Sequence, residues 1–420
     1  MNFFDDYGDK RTKIPYDDVP ITRNERVQRG FSGSGRGGMK ISKFSSIAVS
    51  FMIIVNLVLS VVCLCLIKGI KTRTINNYSI EVGSSSEVSS VVKNSALSSS
   101  VCVSVGASSG SGVIYKIVRD AMDSNSGVIY FVTCYHVVRS NLRNVKVQLS
   151  SNSEKLSGIE VIGYSESKDL AVLKYETDDI EWALGGCTAT TLFDSVYTSF
   201  GERVFAIGNS LSSGLSITDG LISQINAVVD IEGIESRCLQ ISAEINPGNS
   251  GGGLFNAKGE LIGIVNAKRH NVSTDGEVFT VVGTSFAIPS SIVRGVADQI
   301  IAGNREVQKV SIGVEFSDAG SNTTEYIEYN GERRPINVHK VTISKVTTGV
   351  AYGKLRAGDV IQAIEFYENG SDVLKRVTMF NKWTFDDYAL SIKPGSVIKF
   401  YIEGREDPIE IEANSSELVK

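Results

Sequence analysis

Only three histidines occur in the 420 residues, at His136, His270 and His339, and none of the six cysteines forms a C-x-x-C pair. A structural zinc site needs such ligands at close spacing, so these shortages argue against one, and neither a metal nor any other cofactor is expected. Charge is also sparse. Charged residues make up 21% of the chain, the net charge is -5, and no run of one sign extends beyond a few residues. A nucleic-acid partner needs a basic stripe or patch, and its lack excludes that class of function. Apolar residues are present in ordinary amount, 42%, so most of the chain has the material for a core. Its length suits two folded domains with additional segments.

One stretch departs from this average. Residues 47–67, IAVSFMIIVNLVLSVVCLCLI, carry no charge and are long enough for a helix to cross a hydrocarbon core of roughly 30 Å. The run starts far from the N-terminus and is followed by Lys68 and Lys71, which reads as an uncleaved transmembrane helix and not as a cleaved signal peptide. Arg23, Arg26, Arg29, Arg36, Lys40 and Lys43 precede it, against Lys68, Lys71, Arg73 and Lys93 after it. That bias puts the N-terminus in the cytoplasm and the remainder outside the cell membrane. Residues 1–46 lack hydrophobic periodicity and read as a disordered cytoplasmic tail, while 68–100, rich in serine from 83 onward, read as a flexible linker. Cys63 and Cys65 fall in the apolar run, leaving Cys102, Cys134, Cys187 and Cys238 as either one or two disulfides or, the simpler reading, buried thiols.

From Val101 to about Ile288, short runs rich in β-branched and aromatic residues alternate with Gly, Ser and Asn turns, the pattern of an all-β barrel or sandwich. Residues 289–303, PSSIVRGVADQIIAG, open with Pro and Ser, carry apolar residues at helical spacing and stop at glycine. They read as a connecting helix at the end of a first domain, 101–303. A second, small domain follows over 308–415, with further strands and a helical stretch around Phe385 to Ile392.

The segment Asn246-Pro-Gly-Asn-Ser-Gly-Gly-Gly253 crowds four glycines around Ser250, allowing a sharp turn there. Acyl transfer needs this: an exposed hydroxyl, and backbone N–H groups, here those of Gly248 and Ser250, converging on the oxygen that becomes negative. A nucleophilic serine also needs a base. His136 is best placed, at the end of the strand-like VIYFVTCYHVV, whereas His270 falls in a polar stretch that reads as an exposed loop and His339 lies in the second domain. Asp169 opens the apolar LAVL and is the carboxylate suited to orient the imidazole; Asp178, Asp179 and Asp230 sit among polar residues and read as solvated. Gly248-Asn249-Ser250-Gly251-Gly252 also fits the G-x-S-x-G elbow of α/β-hydrolases, but that elbow requires a helix directly after the serine and a histidine downstream of it. Here GGGLFNAKGELIGIVNA reads as strand, turn, strand.

With these residues the chain resembles the HtrA (Deg) family of membrane or periplasmic serine proteases from Val101 to its C-terminus. Gly110-Ser111-Gly112, TCYHVV, DLAVLK, AIGN, TDGLIS, INPGNSGG and FAIPS follow the family's blocks in order. The resemblance implies a mainly β, chymotrypsin-type double β-barrel with His136, Asp169 and Ser250 as its triad. It departs at Cys134, where the family usually has Asn, at Gly253 for Pro, at Ser242 for Asp and at Ser285 for Gly. The second domain resembles a small α/β PDZ domain, with Ile312, Gly313 and Val314 as the carboxylate-binding loop and LRAGDVI as a further motif. Physically, such a turn aims N–H groups at a terminal carboxylate while a strand edge pairs with the peptide. The implied partners are protein or peptide substrates and C-terminal peptides, the implied assembly a homotrimer, and the implied activity cleavage of misfolded or regulatory proteins. A peptide-binding scaffold with an idle protease domain is the alternative.

Overall fold

The computed structural model describes Ser90 and residues 92–419, apart from 151–153, 232–233, 267–269, 275–276, 281–283, 305, 348 and 415. The expected tail 1–46, transmembrane helix 47–67 and most of the linker lie outside the described residues. Among the described residues no helix is long and apolar enough to cross a membrane.

Six strands, β1 (Ser100–Val105), β2 (Ser108–Arg119), β3 (Gly127–Cys134), β4 (Val145–Leu149), β5 (Lys155–Ser165) and β6 (Leu170–Thr177), close into an antiparallel barrel in the order β1-β2-β3-β6-β5-β4. The alternation in β4 shows why: Val145, Val147 and Leu149 point inward while Lys146 faces water. The polypeptide before β1 is packed, in contrast to the flexible linker expected up to residue 100. Val92 and Ala96 are buried in this barrel's core, and the hydroxyls of Ser99 and Ser100 donate back to the Ala96 carbonyl at 3.0 and 2.8 Å. Serine composition signals flexibility only where no side chain finds a core or a carbonyl to bond.

A second barrel uses β7 (Arg203–Gly208), β8 (Ser216–Ile231), β9 (Ile234–Ile241), β10 (Gly253–Asn256), β11 (Leu261–Asn266) and β14 (Ser285–Pro289), ordered β7-β10-β11-β14-β9 and closed through β8. Two short strands, β12 (His270–Thr274) and β13 (Glu277–Thr280), extend β8, so His270 starts a strand and not the loop expected. The fold is mainly β, two closed six-stranded barrels of the chymotrypsin-like kind. Two short helices, α1 (Tyr135–Val138) and α2 (Ile180–Leu184), sit in the first barrel's connections. Among the described residues no disulfide joins Cys102, Cys134, Cys187 and Cys238.

Helix α3 (Ser290–Ile301) occupies the expected connector and buries Ile292, Val293, Val296 and Ile300 in the first barrel's core. Its other side meets the C-terminal part so closely that a Cβ on Gly295 would lie 2.4 Å from the Leu390 Cβ. That part contains a ribbon of β15 (Val307–Val310) with β22 (Ser416–Val419), and a sheet of β16 (Val314–Tyr329), β17 (Glu332–Val346), β18 (Val360–Tyr367), β19 (Leu374–Thr378), β20 (Val397–Ile402) and β21 (Ile409–Glu412). Helix α4 (Thr384–Ala389) covers it, burying Phe385 and Tyr388 against Phe366 and Phe400.

Strands β16 and β17 form a long hairpin turned by Asn330 and Gly331, both at positive φ (50° and 77°), as a two-residue turn of the primed type requires. Its tip rests on the second barrel. The Tyr329 ring stacks on Tyr197 at 4.0 Å, and Arg334 lies over Phe193 while bonding the Tyr197 carbonyl (2.9 Å) and Glu202 (2.5 Å). A second seam is ionic. Buried Asp194 accepts from Tyr388 (2.7 Å), Lys375 (3.1 Å) and Arg294 (3.4 Å), and Arg237 pairs with Asp387, which also accepts from Ser291 at 3.1 Å.

Candidate active site

Strand β3 ends at Cys134, and the next residues turn at once into α1, so His136 sits on a helical turn at the barrel mouth and not on the strand itself. Asp169 occupies the turn before β6 at a φ of 52°, unusual for a residue other than glycine and stabilised here by several partners. Its Oδ2 lies 2.7 Å from His136 Nδ1, its Oδ1 accepts the His136 backbone N–H at 3.0 Å, and its carbonyl accepts the Tyr135 N–H at 3.0 Å. The side chain and the backbone of Asp169 are thereby both tied to α1. The His136 ring is mostly buried and Asp169 almost fully so. A proton on Nδ1 satisfies Asp169 Oδ2, and in a neutral ring that tautomer places the lone pair on Nε2.

Ser250 lies in the glycine-rich turn between the barrels. A Cβ at Gly248 (φ 100°) would come within 2.2 Å of the Asn209 carbonyl, and one at Gly251 (φ 84°) within 2.2 Å of the Ser111 carbonyl, so only glycine fits either position. The turn is pinned from both sides: Ser111 N–H donates to the Ser250 carbonyl at 2.8 Å, Ser111 Oγ donates to the Gly248 carbonyl at 2.7 Å, and Gly251 N–H donates to the Val265 carbonyl at 2.9 Å. A Gly251 Cβ would also meet Cys134 N at 2.9 Å, which puts the serine turn against the end of β3, two residues from His136. The three sequence-selected residues thus come from separate stretches into one neighbourhood.

Fold comparison with known proteins sharpens this picture. Residues 110–264 match the model of a trypsin-like peptidase domain. The chain is 32% identical over 302 residues to the serine protease Do-like HtrA of Lactococcus lactis subsp. lactis, covering 69% of each protein. The chain belongs to the HtrA family of serine proteases. It is 34% identical over 214 residues to the serine protease Do-like HtrB of Bacillus subtilis, and 31% identical over 258 residues to the periplasmic serine endoprotease DegP of Salmonella typhimurium. It spans 42% and 48% of those two proteins. Membership makes this HtrA chain a serine endopeptidase.

Asn266 is a site residue that sequence reasoning missed. Buried at the end of β11, it donates its side-chain N–H to Asp169 Oδ2 at 2.9 Å, and the residue before it is the Val265 that holds Gly251. One strand end therefore supports both the carboxylate and the serine turn. Its only local signal is a lone amide closing an apolar strand, LIGIVN. Behind Asp169 a cavity of about 170 Å³ is lined by Lys168, Arg237, Cys238, Asn266 and Trp383 among others. Burial pushes the Cys238 thiol up to about 12, which keeps it protonated and inert. Burial, then the nearby Lys309 and Arg237 charges, lower the Lys168 ammonium.

Ile312 and Gly313 lead into β16 at Val314 beside a cavity of about 470 Å³ that Phe385 and Asp386 of α4 also line, and Lys309, Trp383 and Asp386 border both this cavity and the one behind Asp169. Gly313 has φ 71°, and its carbonyl accepts from Thr347 N–H at 2.8 Å and Thr347 Oγ1 at 3.1 Å. Those bonds fix the loop's carbonyl side.

Proposed function

We propose that this HtrA chain cleaves misfolded or regulatory proteins outside the cytoplasm, with Ser250 as nucleophile, His136 as general base and Asp169 as the orienting carboxylate. The observation that carries the reading is the 2.7 Å contact between His136 Nδ1 and Asp169 Oδ2, beside a serine turn in which only glycine fits the flanking positions. His136 Nε2 takes the Ser250 proton as the hydroxyl attacks the scissile carbonyl, Asp169 stabilises the imidazolium, and the N–H groups of Gly248 and Ser250 receive the oxyanion. The proton then passes from His136 to the leaving amine, and water repeats the cycle on the acyl-enzyme.

Residues 308–415 act in this reading as a PDZ domain. An apolar C-terminal residue enters the 470 Å³ groove, its carboxylate meets the Ile312–Val314 turn, and its backbone adds to the free edge of β16. The uncharged run at 47–67 anchors a homotrimer to the membrane with the protease outside. The test is reaction with a fluorophosphonate probe and cleavage of casein. Labelling located at Ser250 and lost in Ser250→Ala and His136→Ala supports the protease; an unreactive parent protein supports the idle scaffold. Free-acid peptides that raise the rate, where their amidated forms do not, support the PDZ role.

A further inference from the structure

One group of side chains among the described residues has the chemistry of a metal site. Cys134 Sγ, a ring nitrogen of His136 and a carboxylate oxygen of Asp169 all lie within 4.8 Å of one another. Two of these belong to the triad proposed above. The third stands where the resemblance leads one to expect asparagine, which cannot supply a thiolate. Cys134 is buried at the end of β3, its Sγ turned toward the Val265 carbonyl at 3.5 Å, on the same strand end that carries Asn266.

We propose that Cys134, His136 and Asp169 bind one thiophilic divalent cation, with Zn²⁺ as its type, and that binding switches the protease off. A thiolate, an imidazole and a carboxylate suit zinc, and three protein ligands leave its fourth tetrahedral position for water. Bonds of about 2.0–2.3 Å put tetrahedral ligand atoms roughly 3.3–3.8 Å apart. The 2.7 Å His136–Asp169 contact therefore opens by about 1 Å and Cys134 closes by at most about 1 Å, within the reach of small side-chain rotations. Magnesium and calcium, which prefer all-oxygen ligands, do not satisfy the site.

Inhibition follows from the tautomer and rests on the reading of His136 as base. In the working arrangement Nδ1–H donates to Asp169 and the Nε2 lone pair accepts the serine proton. A cation bound at Nδ1 takes the lone pair there, so the neutral ring carries its proton on Nε2 and has nothing left to accept with. The balance is simple. The Cys134 thiol releases one proton to solvent as the S–metal bond forms, the imidazole proton moves from Nδ1 to Nε2, Asp169 is already ionised, and no atom changes oxidation state.

The decisive experiment uses Co²⁺, whose thiolate complexes show a charge-transfer band, on the full-length Ser250→Ala protein. A band that saturates at one equivalent, is displaced by Zn²⁺ and is lost on adding Cys134→Ser or Cys134→Asn is the expected result. With Ser250 intact, Zn²⁺ lowers the peptidase rate and EDTA restores it. Each Cys134 variant, normalised to its own metal-free rate, needs roughly tenfold more Zn²⁺ or beyond for half-inhibition. No band in the Ser250→Ala protein, or one that persists in both Cys134 variants, overturns the site, and a Cys134-dependent band without inhibition overturns the switch. Because the spectroscopic arm is read without the nucleophile, its failure is distinct from a failure of the Ser250 assignment.

Discussion

Asp169 and Asp194 are both buried carboxylates of the same folded unit, yet their surroundings differ in kind. Asp169 is met by an imidazole, a backbone N–H and the Asn266 amide, whereas Asp194 is met by Lys375, Arg294 and the Tyr388 hydroxyl. A carboxylate held by neutral dipoles keeps its field available for a positive charge that appears only during reaction. One already matched to two cations has nothing further to offer except rigidity. The difference distinguishes the acid proposed to orient His136 from one tied into ion pairs more cleanly than burial does, since burial is the same for both.

The largest expected effect tests the reactive side. Asp169→Asn is expected to lower kcat by roughly 10⁴ with little change in thermal stability, as tautomer control is lost while the fold remains. Activity within tenfold of the parent would falsify its orienting role. Asp194→Asn is expected to do the reverse, destabilising by about 3–5 kcal/mol in urea titration because Lys375 and Arg294 lose a buried partner. Glu368, 3.0 and 3.1 Å from those two cations, keeps the loss near the lower end. The folded variant's kcat should match the parent's, and a large fall there erases the distinction. Acid provides the companion measurement. Burial pushes the Asp194 carboxyl up, but Lys375, Arg294 and Tyr388 outweigh it and hold it below its usual 3.8. The unfolded chain therefore binds this proton more readily, so the stabilisation is present above the usual carboxylate range and lost as pH falls through the lowered folded value. Asp194→Asn should flatten that acid limb, and an unchanged limb would assign it to other groups.

Asn266→Ala comes next. Losing one hydrogen bond to a charged group, worth about 1.5–3 kcal/mol, predicts a fall of roughly 10- to 100-fold in kcat, with KM nearly constant. A change confined to KM would make Asn266 a substrate contact instead. The smallest effect is at Lys168, whose ammonium is lowered first by burial and then by Lys309 and Arg237. Its unfolded form holds the proton more tightly, so its contribution to stability improves as pH rises through the lowered folded value. Lys168→Met should stabilise the protein near neutral pH by a few tenths of a kcal/mol, roughly 0.5 at most, read as a small rise in Tm. A loss of stability would mean that the ammonium has a favourable partner.

Asp169, proposed above as the orienting acid, was singled out by its sequence and Asp194 was not, for reasons of chain distance. His136, Asp169 and Ser250 each sit in a short motif whose residue types already imply the local geometry: a strand end, an acid before an apolar run, a crowd of glycines. Asp194 is defined by Lys375 and Tyr388, 181 and 194 residues away, and Asn266 by an acid 97 residues away. No local pattern encodes such contacts. The barrel strands were readable because their apolar residues alternate or run continuously between turn residues. The helical turn carrying His136 was not, because YHVV is as β-prone as the strand before it, and the packed segment at 92–100 was hidden by serines that bond to its own backbone.

The hairpin tip bears on how this chain can change over evolutionary time. Two packed parts of one chain joined by a connecting helix could be exchanged freely only if few residues of either were fitted to the other. Here Tyr329 and Arg334 at the tip are fitted to Phe193, Tyr197 and Glu202 of the barrel region, and Lys375 and Tyr388 to Asp194. A transplanted unit without that hairpin would uncover an aromatic shelf and leave a buried acid short of partners. Inheritance of the two parts is therefore coupled: a foreign C-terminal unit is tolerated only if the barrel residues that face it are rewritten as well.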